Sequence, residues 1–188
     1  MSRSSKVVVL CEDKRTQKLI RSFLRKLSYR NHELRFTKIN TGSAEQQVRE
    51  QFPNEVAYLR NSRFQDQVLI AAIDADNFSV EERLRQLEQS LGSAGLPARD
   101  PGEKICLLIP RRNIETWIRV LSGDEVSEEE NYKPPPGGTQ AQRLDNRSAQ
   151  AGERFYELTR PNAPLPNPTV DSLNRAIPEA RRVPKASA

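Results

Sequence analysis

The chain is poor in the residues that most metal sites and catalytic triads require. Its 188 residues include one histidine and two cysteines. His32 is the only histidine and lies in a polar segment, so a His-based zinc site or a catalytic triad is nearly excluded. No apolar run approaches the ~20 residues that cross a bilayer, and the N-terminal segment is too short for a secretory signal. We therefore expect a cytoplasmic protein with no membrane partner, whose cysteines are free thiols.

Charge is abundant but unevenly distributed along the chain. The net charge is +5, and residues 1–40 hold eleven of the Lys and Arg residues against three acids. The rest of the chain is slightly acidic. A basic N-terminal third suits a polyanionic partner such as nucleic acid, although a solvated helix face would have the same composition.

Apolar runs alternate with amphipathic segments over the first two thirds of the chain. Runs at 6–10, 68–73 and 105–109, with an alternating segment at 34–39, predict four strands, and the segments between them predict helices. Pro53 is expected to break the second helix. This order predicts an α/β fold with a mostly parallel four-stranded sheet flanked by helices. We place that domain at 1–122 and a C-terminal extension, with acidic and proline-rich loops and one or two helices, at 123–188.

Acidic residues follow two of the predicted strands. Asp74 and Asp76 come after the apolar run 68–73. Their i, i+2 spacing lets both carboxylates face one spot. Glu12 follows the first strand, and the carboxyl ends of parallel strands meet at one edge of a sheet. Three carboxylates without His or Cys partners favour Mg²⁺ or Mn²⁺.

Each of these residues also has an ordinary structural interpretation. Asp76 with the following Asn77 can turn the chain and cap the next helix. Glu12 and Glu115 can be acids in the first turn of a helix, where the helix dipole favours them. Arg111 and Arg112 can be solvated, although their position after the fourth strand favours phosphate binding.

The order of these motifs resembles the TOPRIM fold, the catalytic domain of topoisomerases, bacterial primases and OLD-type nucleases. A glutamate after the first strand and an Asp-x-Asp after a later one are its pattern. The segment 109–118, which contains Pro110, Glu115 and Trp117, is similar to a segment of small TOPRIM-like proteins associated with phage defence. The tail, with Ser172-Leu173 and Glu179 to Arg182, is more faintly similar.

The resemblance implies a role for each matching residue. Glu12 would be an acid/base or metal ligand, and Asp74 and Asp76 would be metal ligands. Glu115 would be a further acid near the metal or the anchor of a basic residue. The residues expected to contact nucleic-acid phosphates are Lys14, Arg15, Arg111 and Arg112.

These roles predict a Mg²⁺- or Mn²⁺-dependent nuclease of phage defence, acting on DNA in preference to RNA, with an ATPase as a potential partner. Two alternatives stay open. The chain can be a non-catalytic TOPRIM-like subunit of a defence complex. It can also be a receiver-like signalling domain phosphorylated on Asp74, although the gap between Glu12 and Asp74 is long for a receiver and no Lys-Pro pair ends the fourth strand.

Overall fold

A computed structural model describes residues 6–37, 44–62 and 67–186 of the chain. Strands and helices alternate up to residue 121, and two more helices follow. In chain order the elements are β1 (Val7–Cys11), α1 (Lys14–Lys26), β2 (Leu34–Phe36), α2 (Ala44–Asn61), β3 (Val68–Ala72), α3 (Val80–Ser93), β4 (Ile105–Leu108), α4 (Ile114–Leu121), α5 (Thr139–Thr159) and α6 (Asp171–Ala180).

The four strands form one all-parallel sheet in the order β2-β1-β3-β4. Strands β1, β3 and β4 are buried along their whole length. Their continuous apolar sequences reflect this burial, since helices cover both faces of a parallel sheet. The predicted α/β class with a parallel four-stranded sheet is therefore confirmed. Of the predicted second strand, residues 38 and 39 lie outside the described part of the chain.

The strand order creates a switch point between β1 and β3. The chain leaves β1 for β2 on one side and later returns across β1 to reach β3. One face of the sheet is covered by α1, α4, α5 and α6, and the other by α2 and α3. Helix α1, which follows β1, and helix α3, which follows β3, thus lie on opposite faces. At such a point the carboxyl ends of the strands are where α/β sheets bind ligands.

The predicted interruption at Pro53 is wrong. Helix α2 runs without a break from Ala44 to Asn61, with Pro53 inside it. Proline cannot donate a hydrogen bond to the carbonyl four residues earlier. Burial of Val48 and Val56 on either side outweighs that loss, because both side chains pack in the core under the sheet.

The C-terminal segment contributes two helices to the same core as residues 1–122. Helix α5 lies against α1 at Gly152, where a Cβ atom would stand 2.1 Å from the carbonyl oxygen of Leu19. Only glycine permits so close an approach. The Trp117 indole, fully buried on α4, donates a 2.7 Å hydrogen bond to Ser172 Oγ on α6. The extension is thus packed into the α/β core.

Side chains cover the outer edge of β4. Glu179 of α6 accepts a hydrogen bond from the Leu107 N–H at 3.0 Å. Arg99 donates to the Ile105 carbonyl at 2.9 Å and pairs with Glu179. These contacts satisfy backbone groups that an edge strand otherwise leaves open.

Both cysteines are free and buried in the sheet, as expected for Cys11 and Cys106. Across the ranges given above, no helix combines the length and apolar character that a membrane span needs.

Candidate active site

The structure brings Glu12 and Asp74 into contact at the switch point. β1 and β3 are paired so that Cys11 lies beside Ala72, which places the residues that follow each strand next to each other. Glu12 Oε1 accepts a hydrogen bond from the Asp74 backbone N–H at 2.7 Å. Two acids 62 residues apart in sequence therefore share one corner of the sheet.

Burial makes this corner costly to ionise. Asp74 is 4% exposed, and no hydrogen bond reaches its carboxylate oxygens from the residues that the structure describes. Burial first, then the negative charges of Glu12 and Asp13, raise the pKa of Asp74 well above its usual range. Burial likewise raises the pKa of Glu12 to about 7. A cation bound here would offset the repulsion between the two carboxylates.

Asp76 lies at the open side of the same corner on a strained backbone. Its side chain is 50% exposed, and its φ of 51° is in the left-handed region. Its N–H donates to the carbonyl of Arg112, which also has a positive φ, 67°. Ser79, not Asp76 or Asn77, caps α3. Two adjacent strained loops without a capping role are typical of a functional site.

Arg83 is a residue of the site that the sequence interpretation missed. Its side chain is 2% exposed, its Nη2 lies 3.8 Å from Asp76 Oδ2, and its Nη1 pairs with Glu45. Its guanidinium also lies over the Phe78 ring, 4.8 Å from the centroid. Position 83 is one turn before the buried Leu87 of α3, and this spacing was the available signal that it faces inward.

Glu115 anchors a basic residue near the site. It is 1% exposed, and its Oε1 accepts a hydrogen bond from Arg15 Nη1 at 2.7 Å. Arg15 Nε also bonds Asp145 of α5 at 2.7 Å. The second oxygen of Glu115, Oε2, is buried without a hydrogen-bond partner. The negative charge of Glu115 also contributes to the raised pKa of Asp74. Arg15 is thus neutralised within the fold.

The other predicted phosphate contacts divide into two groups. Arg111 donates to the carbonyls of Asp76 at 3.2 Å and Phe78 at 2.6 Å. Arg112 donates to Asn77 Oδ1 at 2.9 Å. These two arginines brace the loop that carries Asp76. Lys14 is the exposed first residue of α1.

The donor set fits a hard divalent cation. Glu12, Asp74 and Asp76 offer only carboxylate oxygens, the ligands that Mg²⁺ and Mn²⁺ prefer. The unpartnered buried oxygen of Glu115 adds a further acceptor to the same edge of the sheet. Over the described ranges, no three His, Cys, Asp or Glu side chains form a preassembled metal-ligand cluster. A cation bound by all three acids would therefore require their side chains to rearrange.

The chain was also compared with known proteins. No protein-family model matches it, and neither curated proteins nor solved structures gave a significant match. Inferences about function therefore rest on the geometry of the site.

Proposed function

We propose that the protein hydrolyses phosphodiester bonds of nucleic acid, DNA in preference to RNA, with the help of Mg²⁺ or Mn²⁺. The observation that carries this proposal is the contact between Glu12 and the Asp74 backbone at the switch point of the sheet. Ligands of α/β sheets bind in the crevice at this place. The resemblance to TOPRIM domains, drawn from the same residues, agrees with it.

The chemistry follows from the different environments of the three acids. Asp74 and Asp76 would hold the cation, which when bound polarises the phosphoryl group and lowers the pKa of a water. The pKa of Glu12, about 7, suits a group that accepts or donates a proton near neutral pH. The Oε1 atom of Glu12 is fixed by the Asp74 N–H, so Oε2 is the oxygen that would exchange the proton.

The proposal includes a partner protein that helps to hold the substrate. The arginines nearest the acids, Arg15, Arg83, Arg111 and Arg112, all donate to groups of the fold. A site with its arginines engaged in this way gains from a partner that holds the substrate. We propose an ATPase in a phage-defence complex, as the resemblance implies, and a purely structural role for the chain in such a complex is the alternative.

A cleavage assay tests the proposal. Wild-type protein, Glu12→Gln and Asp74→Asn would be incubated with plasmid and single-stranded DNA in Mn²⁺ or Mg²⁺. Glu12→Gln should cut at least ~100-fold more slowly, the usual effect of losing a general acid/base, and Asp74→Asn should cut more slowly because it loses a proposed ligand of the cation. Mn²⁺ binding, followed by electron paramagnetic resonance, should weaken in Asp74→Asn independently of any cleavage.

Glu157→Gln is the matched control, because Glu157 is an exposed acid near the end of α5. It should cleave DNA and bind Mn²⁺ as the wild type does. Equal cleavage by all four proteins would contradict the carboxylate site. Mn²⁺ binding without cleavage would instead favour the partner-dependent form of the proposal.

A further inference from the structure

The outward face of α1 carries a line of cations, formed by Lys14, Lys18, Arg21 and Arg25. Their spacing of four, three and four residues puts them on one side of the helix. The buried residues of α1, including Leu19, Ile20 and Phe23, lie on the opposite side. We call these four residues the α1 stripe.

The charges of the α1 stripe are not neutralised by ion pairs within the described part of the chain. Helix α1 contains no Asp or Glu, and none of the four side chains forms an ion pair with any residue that the structure describes. Arg21 instead lies over the Phe36 ring of β2, 4.4 Å from its centroid. By contrast, Arg15 on the flank of the same helix is paired with Glu115 and Asp145. On this helix, therefore, Arg15 is paired with acids, whereas the four cations of the α1 stripe are not paired with any acid that the structure describes.

The stripe begins at the candidate active site. Lys14 follows Glu12 by two residues, and the last cation, Arg25, stands eleven residues further along the helix. At 1.5 Å per residue this is about 16 Å. A strand of duplex DNA advances about 3.4 Å per phosphate along the helix axis, so the stripe matches the length of about five nucleotides.

We propose that the α1 stripe binds the sugar-phosphate backbone of nucleic acid and leads it to the Glu12–Asp74 corner. This inference rests on the proposed function, since it assigns the substrate-binding surface of the same site. Arg15, Arg111 and Arg112, which were expected to contact phosphates, are bonded to other groups of the fold. In the present proposal Lys18, Arg21 and Arg25 contact the phosphates instead. The backbone is the proposed ligand because lysine and arginine side chains spaced along a helix contact phosphates, which carry no sequence information.

Binding without cleavage tests the stripe directly. Fluorescence anisotropy would follow a fluorescein-labelled 30-nucleotide DNA, single-stranded or duplex, in EDTA over a range of KCl concentrations. Lys18→Gln/Arg25→Gln removes two exposed cations and leaves Arg21 packed on Phe36. The matched control is Arg85→Gln/Lys185→Gln, which removes two exposed cations elsewhere. Thermal melts would verify that all variants fold.

We expect the stripe variant to bind at least ~10-fold more weakly, with a slope of log K against log[salt] smaller by about 1.4 to 1.8. The control should keep wild-type affinity. Equal losses in both variants, wild-type binding by the stripe variant, or no DNA binding by wild type would each overturn the inference. So would equally tight binding of phosphatidylserine vesicles.

The same assay separates this inference from the proposed function. Glu12→Gln should bind DNA as tightly as the wild type while failing to cleave it. If Glu12→Gln cleaves normally and the stripe variant loses binding, the catalytic proposal fails and the stripe stands. If the stripe variant binds normally and Glu12→Gln loses cleavage, the reverse holds.

Discussion

Two corners of the same sheet edge bury a carboxylate, and they treat its charge in opposite ways. At the first, Asp74 lies beside Glu12 with no ion-pair partner of its own in the described residues. At the second, Glu115 lies against Arg15, which Asp145 supports from α5. Burial is similar, 4% and 1% exposed for Asp74 and Glu115. The two acids differ in that Glu115 has an arginine beside it and Asp74, within the described residues, does not.

The difference separates an acid whose charge the fold compensates from one whose charge the fold leaves uncompensated. A buried carboxylate with its own arginine is compensated whatever else binds, and removing one partner is strongly destabilising. A buried carboxylate beside a second acid destabilises the free protein until a cation or a proton arrives. Under the proposed function the Glu12–Asp74 corner is the one that a bound cation would stabilise, and three experiments can test this contrast.

The largest effect should come from neutralising the first corner. The pKa of Glu12 rises from 4.5 to about 7 on folding, so its ionisation lowers stability increasingly between these two pH values and not below them. Glu12→Gln removes this penalty and keeps an oxygen for the Asp74 N–H. At about 1.4 kcal/mol per tenfold change in proton affinity, metal-free Glu12→Gln should gain up to about 3 kcal/mol at pH 8. Urea unfolding measures it.

Urea unfolding at pH 4 supplies the control, because both proteins are then largely uncharged at position 12 and should have nearly equal stability. A variant less stable than the wild type at pH 8 would show that Glu12 contributes to folding, as Glu115 does. In that case the carboxylates of both corners would stabilise the fold, and the contrast between them would be lost.

A somewhat smaller effect is expected from the cation. Ligand at a hundred times its Kd stabilises a protein by about 2.7 kcal/mol, which for this length corresponds to about 5 to 11 °C in Tm. We expect this shift in wild-type protein with Mg²⁺ or Mn²⁺, measured by differential scanning fluorimetry. Asp74→Asn should show little of this rise in Tm. KCl of equal ionic strength, without a divalent cation, should raise the Tm of neither the wild type nor Asp74→Asn. Identical shifts in both proteins would mean that the cation binds elsewhere.

The smallest effect belongs to the second corner. Glu115→Gln should destabilise by about 2 kcal/mol, less than for a fully buried pair because Arg15 keeps Asp145 and is 18% exposed. Asp145→Asn, the matched change at the exposed end of this network, should cost about 0.5 kcal/mol. Urea unfolding at pH 7 measures both. Equal costs, or a gain from Glu115→Gln, would remove the contrast between the corners.

The strands and the first corner could be predicted because their signals are local. Continuous apolar runs specify buried parallel strands, and the residue that follows such a strand must lie at the carboxyl edge of the sheet. The contact between Glu12 and Asp74 followed from this rule alone. The capping role of Ser79 was equally readable, since a capping box lies within four residues.

Other parts of the site depend on contacts that no local pattern contains. The pairing of Arg15 with Asp145 joins residues 130 positions apart, and it removes a cation that the sequence suggested was free for phosphate. Pro53 was assigned a local effect that burial on both sides of it overrode. Arg83 was missed because a charged residue on an amphipathic helix is usually solvated.

Two side chains cover part of the β4 edge of the sheet. Because Arg99 binds the Ile105 carbonyl and Glu179 binds the Leu107 N–H, these two groups of β4 cannot pair with a further strand while the side chains stay in place. Loss of α6 would uncover a buried apolar strand with unpaired N–H and C=O groups, the arrangement that drives edge-to-edge aggregation. Glu179 of the tail therefore also protects this edge of the sheet.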